Sequence, residues 1–323
     1  MTGSLLYLSR EDVEATHLPM LEVIDALEAM FKEKGDGRTE MPPKPGIHPR
    51  ADSFIHAMPA YIPGLQSAGI KWVSGYPGNR EKGLPYISGL IILNDPDTGV
   101  PIAVMDCRWI TAKRTGAATA IAAKHLARPD SNSVGIVACG VQGRSNLEAL
   151  ACVLPIKRVR AFDRDPENSS EYAREMEARL HVEVEPVATL AEAVQELDIV
   201  VTSGPILKRP TPTIEAGWLA EGAFASLVDY DSYWTGAALR EVDKLATDDL
   251  AQMRFVREQG YFRDTPEPYA DLGAIVTGRR PGRESPHERT IAMNLGLALD
   301  DMATAIRVYE RAQRMGIGRE LPL

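Results

Sequence analysis

The residues most able to do chemistry begin with Ala138-Cys139-Gly140-Val141-Gln142-Gly143, set between a short apolar run, Ser133 to Val137, and a helical pattern from Gly143 to Val153. This is the dinucleotide pattern G-x-G-x-x-G with alanine in place of its first glycine. A glycine at 140 lets the backbone approach a pyrophosphate, and one at 143 lets the helix pack closely on the strand. The amides of Val141 and Gln142 then open a helix whose N-terminus attracts an anion. Asp163 follows about twenty residues later, at the end of the next apolar run, where a carboxylate accepts both hydroxyls of an adenosine ribose. Its charge repels a ribose 2′-phosphate, which favours NAD over NADP, while Arg164 beside it pulls the other way. Thr202, at the end of a later strand candidate, is expected to line the same cofactor site. The competing reading is a tight glycine turn beside a solvated cluster, Asp163-Arg164-Asp165.

A second group lies earlier, in segments that carry polar residues where strands should bury apolar ones: Met41-Pro42-Pro43-Lys44, His56-Ala57-Met58-Pro59-Ala60-Tyr61, Gly69-Ile70-Lys71-Trp72-Val73, and Thr111-Ala112-Lys113-Arg114-Thr115-Gly116-Ala117. Such interruptions mark a pocket more than a packed sheet. Lys71 and Arg114 in semi-buried settings point to a bound carboxylate, with snorkelling surface cations as the ordinary alternative.

The elements that must position these residues fall into two styles. Met20 to Phe31 has the spacing of one helical face and is read as the helix that starts the chain. Prolines break Glu40 to Pro63 into bent strands and loops. Strands are expected at Gly69–Ser74 and Gly89–Leu93, with an Asx and glycine turn at Asn94–Gly99, and one long buried helix over Trp109–Arg128. From Ser133 the pattern alternates: strands at 133–137, 158–162, 182–187, 198–202 and 223–228, and helices at 143–153, 168–180, 191–196 and 214–220. That is a doubly wound α/β sheet. Residues 248–289 are read as loops with short helices, and Leu295–Met315 as a closing amphipathic helix.

Composition excludes other classes. The 323 residues carry 36 Lys and Arg against 45 Asp and Glu, a formal charge of −9, and no basic patch, so neither nucleic acid nor an anionic membrane is an expected partner. Cys107, Cys139 and Cys152 form neither a CxxC pair nor an even-numbered framework, which fits buried thiols in a reducing compartment and offers no metal site. No secretory signal or membrane-length apolar run is visible, so a soluble cytoplasmic protein is expected.

Taken in order, Met-Pro-Ala-Tyr, Gly-Ile-Lys-Trp-Val, Leu93-Asn94-Asp95 with Thr98-Gly99, Arg-Thr-Gly-Ala-Ala and the Gly-x-Gln loop resemble the ornithine cyclodeaminase and mu-crystallin family over nearly the whole chain. The resemblance implies a Rossmann-type NAD-binding domain over 119–304 and a β-rich α+β substrate and dimerisation domain over 1–118 and 305–323. It further implies a homodimer built through the latter, with a cleft between the domains. It implies hydride transfer between a nicotinamide and the α-carbon of a small amino-acid or imino-acid substrate. Lys71 then lies beside the substrate amine and carboxylate, Arg114 clamps the carboxylate, and Asp231, in Val228-Asp229-Tyr230-Asp231, handles protons at the α-carbon. Lys44 and His56 would line the substrate site, where ornithine cyclodeaminases carry an arginine and a glutamate; a lysine binds by point charge, and an imidazole cannot hold a cationic side-chain amine. The family's glycine-rich turn before the aspartate is replaced by Asp229-Tyr230, followed by Tyr233 and Trp234. The leading expectation is an amino-acid dehydrogenase or imine reductase. The alternatives are an ornithine-type cyclodeaminase that recycles NAD and releases ammonia, and a non-catalytic, mu-crystallin-like nucleotide-binding protein.

Overall fold

The computed structural model describes residues 3–50 and 53–323. The chain divides into two compact units, Met1–Arg114 with Leu297–Leu323, and Thr115–Gly296. The divide falls earlier than expected at both crossings. Helix α3 (Arg108–Leu126) runs through the first, and the closing helix belongs to the first unit from its opening turn because that turn packs on the first unit's sheet.

The first unit contains β1 (Ser4–Leu8), α1 (Arg10–Ala15), α2 (Met20–Gly35), β2 (Gly46–Ile47), β3 (Phe54–Ile62), β4 (Ser67–Gly75), β5 (Ile87–Asn94) and β6 (Pro101–Asp106), and later α9 (Ala298–Met315) and β15 (Arg319–Pro322). The chain therefore opens on a strand and not on the helix over 20–31. A seven-stranded sheet runs β15-β1-β6-β5-β4-β3-β2. Its register places Met58, Lys71, Ile91 and Met105 side by side in one row. All four are buried, because strand side chains alternate faces and this face is covered by α9. The Ser67 hydroxyl donates to the Met302 carbonyl at 2.9 Å, and a Cβ at Gly69 would strike the Ile92 carbonyl and the Met302 sulfur, so helix and sheet meet closely. Val23, Ile24, Leu27, Met30 and Phe31 form the buried stripe of α2, which also packs on α9.

The second unit is built on eight parallel strands: β7 (Ser133–Val137), β8 (Arg158–Phe162), β9 (Glu183–Pro186), β10 (Ile199–Thr202), β11 (Phe224–Leu227), β12 (Lys244–Thr247), β13 (Ala270–Asp271) and β14 (Thr290–Met293). Their order is β13-β12-β14-β11-β10-β7-β8-β9. The helices are α4 (Val141–Val153), α5 (Pro166–Leu180), α6 (Gly236–Arg240), α7 (Leu250–Glu258) and α8 (Leu272–Val276). Strands β7, β10 and β11 are buried along their whole length, which explains why they read as continuous apolar runs without alternation. Two expected helices are absent: 191–196 forms turns, and Ile214 bridges Trp234 in place of opening a helix. Strands β12 and β14 were missed: they are as short as β10 and β11, and each opens on a polar residue, Lys244 or Thr290, that breaks the apolar run.

Candidate active site

In the first unit the expected cations are brought together, but neither stands alone. Lys71 is 1% exposed, and its Nζ lies 2.6 Å from Asp301 Oδ2 and 3.5 Å from Thr111 Oγ1. Arg114, 7% exposed, donates from Nε to Asp301 Oδ1 at 3.1 Å and reaches Asp300 Oδ2 at 3.5 Å. Both aspartates are fully buried in the first turn of α9, where the helix dipole favours negative charge, and Asp300 also accepts the Leu297 amide at 3.0 Å. Two cations thus sit on two carboxylates in a place nearly closed to water. Burial pushes the Lys71 ammonium below its usual range and Arg114 adds to this, while Asp301 opposes both. Sequence reasoning missed Asp300 and Asp301; the available signal was a pair of acids opening a helix whose next residues are apolar.

His56 shares the inner face of the sheet with Lys71, one row along, and stacks on Phe54 at 4.3 Å. Burial, with the charges of Lys44, His48 and Lys71, pushes its pKa down to about 3, so its ring is neutral at physiological pH. Lys44 is half-buried and lies in the loop before β2, not on a strand.

In the second unit the glycine turn lies between β7 and α4. Ala138, at the position of the missing glycine, has φ +73°. That left-handed conformation is costly for a residue with a Cβ. It is held by three bonds: the Ala138 amide to the Phe162 carbonyl at 2.8 Å, and the Ser203 hydroxyl to the Ala138 and Val137 carbonyls at 2.9 and 3.2 Å. A Cβ at Gly140 would meet nothing, whereas one at Gly143 would come within 2.7 Å of the Ala138 carbonyl oxygen. Gly140 caps α4 without any side-chain bond, Val141 is 66% exposed, and the Oε1 of Gln142 is buried without a partner. Asp163, at the end of β8, is oriented by the Cys139 amide at 2.8 Å and the Asp165 amide at 3.1 Å; Arg164 is exposed. An open backbone cradle, uncapped amides and a fixed carboxylate at the next strand fit a pyrophosphate and a ribose.

The turn after β11 carries two buried carboxylates. Asp231 accepts the Thr265 hydroxyl on Oδ2 at 2.9 Å, and burial raises its pKa. Asp229 is fully buried, accepts the Thr202 hydroxyl at 2.7 Å and the Gly204 amide at 2.8 Å, and is pushed up to about 7 by burial. Thr202, expected to line the cofactor site, has a buried hydroxyl that donates to Asp229 and accepts from Trp234 Nε1 at 3.4 Å, so its side chain holds the turn. Between the two aspartates Tyr230 has φ +63°, with its ring against Tyr261 and Phe262 at 5.6 and 4.8 Å. Among the described residues no cluster of His, Cys, Asp and Glu could hold a metal ion.

The model of the ornithine cyclodeaminase/mu-crystallin family matches residues 5–316. An alanine dehydrogenase of Archaeoglobus fulgidus is 36% identical over 330 residues, 98% of each chain. The solved structure of Thermococcus litoralis Δ1-pyrroline-2-carboxylate reductase, in complex with NADH and L-proline, is 34% identical with a TM-score of 0.89, covering 98% of this chain and 100% of that one. An archaeal alanine dehydrogenase dimer with bound NAD is 33% identical with a TM-score of 0.88, covering 99% and 100%. With the family model spanning nearly its full length, this chain belongs to the ornithine cyclodeaminase/mu-crystallin family.

Proposed function

We propose that the protein is an NAD-dependent oxidoreductase acting on the CH–NH2 or C=N group of a small amino or imino acid. The observation that carries this reading is the coexistence of a buried cation pair held on Asp300 and Asp301 with an open glycine cradle and a fixed Asp163. Relatives with bound NAD or NADH, and with L-proline in one case, support it.

Arg114 and Lys71 take the substrate carboxylate, Arg114 through its planar fork and Lys71 as a point charge. Gly140, Val141, Gln142 and Gly143 hold the pyrophosphate, and Asp163 accepts the ribose hydroxyls, which selects NAD against NADP. The dinucleotide, when bound, supplies the hydride acceptor in oxidation and the donor in reduction. Asp231 moves the proton: it accepts from the substrate amine before oxidation, or donates toward the nitrogen in the reverse direction. Burial raises its pKa toward the operating range, where a group exchanges protons most effectively. Lys71, in its ammonium form, disfavours a charged amine beside it.

Ornithine-type cyclodeamination is the weaker reading, because a second substrate amine would meet a neutral His56 surrounded by Lys44, His48 and Lys71. A homodimer forms, on this reading, through the outer face of the first unit's sheet, where Trp72 and its cross-strand neighbour Leu90 remain 49% and 44% exposed beside half-buried Ile70 and Ile92. Three free cysteines suit a reducing cytoplasm, and among the described residues no helix is long and apolar enough to cross a membrane.

The test follows the near-ultraviolet absorbance of reduced nicotinamide with L-amino acids and NAD, and with cyclic imines or keto acids plus ammonia and NADH. Net oxidation or reduction of coenzyme is the expected result. Ammonia release without net coenzyme change would establish cyclodeamination instead. Coenzyme binding with no turnover across the panel would leave the binding-protein reading.

A further inference from the structure

Asp229 occupies the turn where the family resemblance leads one to expect glycine, and it is fully buried. Its two oxygens divide their work. Oδ1 accepts from Thr202, whose oxygen in turn accepts from the Trp234 indole, and Oδ2 accepts the Gly204 amide. Between those two residues Ser203 reaches the other way: its amide donates to the Val137 carbonyl at 3.0 Å and its hydroxyl to Ala138. The three-residue turn 202–204 is therefore bonded on one side to the glycine cradle and on the other to Asp229. The Tyr233 ring lies on Gly204, where a Cβ would be 2.6 Å from it, and closes the same turn. Tyr230, between Asp229 and Asp231 in the chain, has a left-handed φ and packs its ring on Tyr261 and Phe262.

We infer that Asp229 is a positioning residue, fixing the register between the glycine cradle and the carboxylate of Asp231 through the 202–204 turn. This inference rests on the function proposed above for Asp231 and the cradle. The brace needs a carboxylate in its ionised form. An ionised carboxylate accepts on both oxygens through charge-assisted bonds, and a proton on either one removes that charge and weakens the bonds to the Thr202 hydroxyl and the Gly204 amide. The titratable groups in the surroundings are Asp231 on the same turn, which raises the Asp229 pKa, and Tyr233, whose phenol Asp229 raises in turn. Ionisation near neutral pH therefore tightens the brace as pH rises.

The test uses the full-length protein and the variants Asp229→Asn and Thr202→Val. In the wild type, the indole N–H resonance of Trp234, assigned by its loss in Trp234→Phe, should titrate with a midpoint near 7. In Asp229→Asn it should be invariant with pH. With substrate, Asp229→Asn should lower kcat by on the order of 10- to 100-fold, the cost of a small misplacement, with KM changed less than about threefold. The inflection near pH 7 that Asp229 ionisation gives the kcat profile should also be absent from this variant; loss of packing alone would not remove it. Thr202→Val, which removes one arm and leaves Asp229 titratable, should reproduce the kcat loss. An indole signal that titrates unchanged in Asp229→Asn, or a kcat and pH profile equal to wild type, would overturn the inference. Absence of turnover in the wild type would sink the proposed reaction instead, and the indole titration would still decide whether the brace exists.

Discussion

Asp301→Asn is the most demanding test of the cation site. The side chain is fully buried and holds two cations at once, Lys71 at 2.6 Å and Arg114 at 3.1 Å. At an effective dielectric near 20, each contact carries about 5–6 kcal/mol of attraction, most of which offsets the cost of taking the charges out of water. Removing one partner withdraws the attraction and leaves the desolvation, and such changes cost about 3–5 kcal/mol. For a unit of this size the melting temperature should fall by on the order of 10 °C. The sign of the pH dependence follows from Lys71, whose folded pKa lies below its unfolded value of 10.5. Between the two values the unfolded chain holds a proton that the native state has released, so stability rises with pH through that window and the burial cost is full below it. Without Asp301 the folded pKa drops further and the window widens downward. The variant should therefore recover more stability than wild type as the pH rises toward the unfolded value of 10.5 in urea denaturation. Combined with Lys71→Met, the loss should be smaller than the sum of the single losses by about 1–3 kcal/mol. A loss under about 1 kcal/mol, or strictly additive effects, would show that the four charges do not form a coupled set.

Asp163→Ala should weaken NAD binding by about 1–3 kcal/mol and narrow the preference over NADP, measured by calorimetry; unchanged affinity would remove the ribose contact. Ala138→Gly should stabilise the protein by up to about 1 kcal/mol, since the left-handed φ costs a Cβ more than glycine's extra chain entropy, and coenzyme affinity should hold; destabilisation would mean the methyl group packs usefully. Thr265→Val removes the hydrogen bond that lowers the Asp231 pKa, so the acid limb of kcat/KM should move to higher pH; a limb that stays put would separate Asp231 from the proton transfer.

Much of the fold was legible in the residues. The continuous apolar run at 133–137, the alternation at 158–162 and the helical stripe at 20–31 match elements of the structure within a few positions, because each pattern reports how many of its faces are buried. What failed had too little local signal. The Thr290–Met293 strand opens on a polar residue and is short, and 191–196 and 214–220 have helical composition but bury Ala193, Val194, Ile214 and Leu219 in the core from turns. The candidate residues could be picked out as types, the glycine cradle, Asp163, Lys71 and Arg114, with Asp231 added by the family resemblance. Their partners could not. Asp301 lies 187 positions beyond Arg114, and Asp229 meets Thr202 across 27, so no spacing rule links them.

The sequence by itself determined the chemistry on offer, a cradle for phosphates and cations for a carboxylate, because backbone freedom at glycine and formal charge are properties of single residues. Tertiary structure decided the electrostatic state of those groups. Whether Lys71 is a bare cation or half of a buried pair, and whether Asp229 is an ordinary acid or one that titrates near 7, depends on dehydration and on neighbours delivered by distant segments. Burial and charge pairing act through space, and only the fold fixes which charges share it.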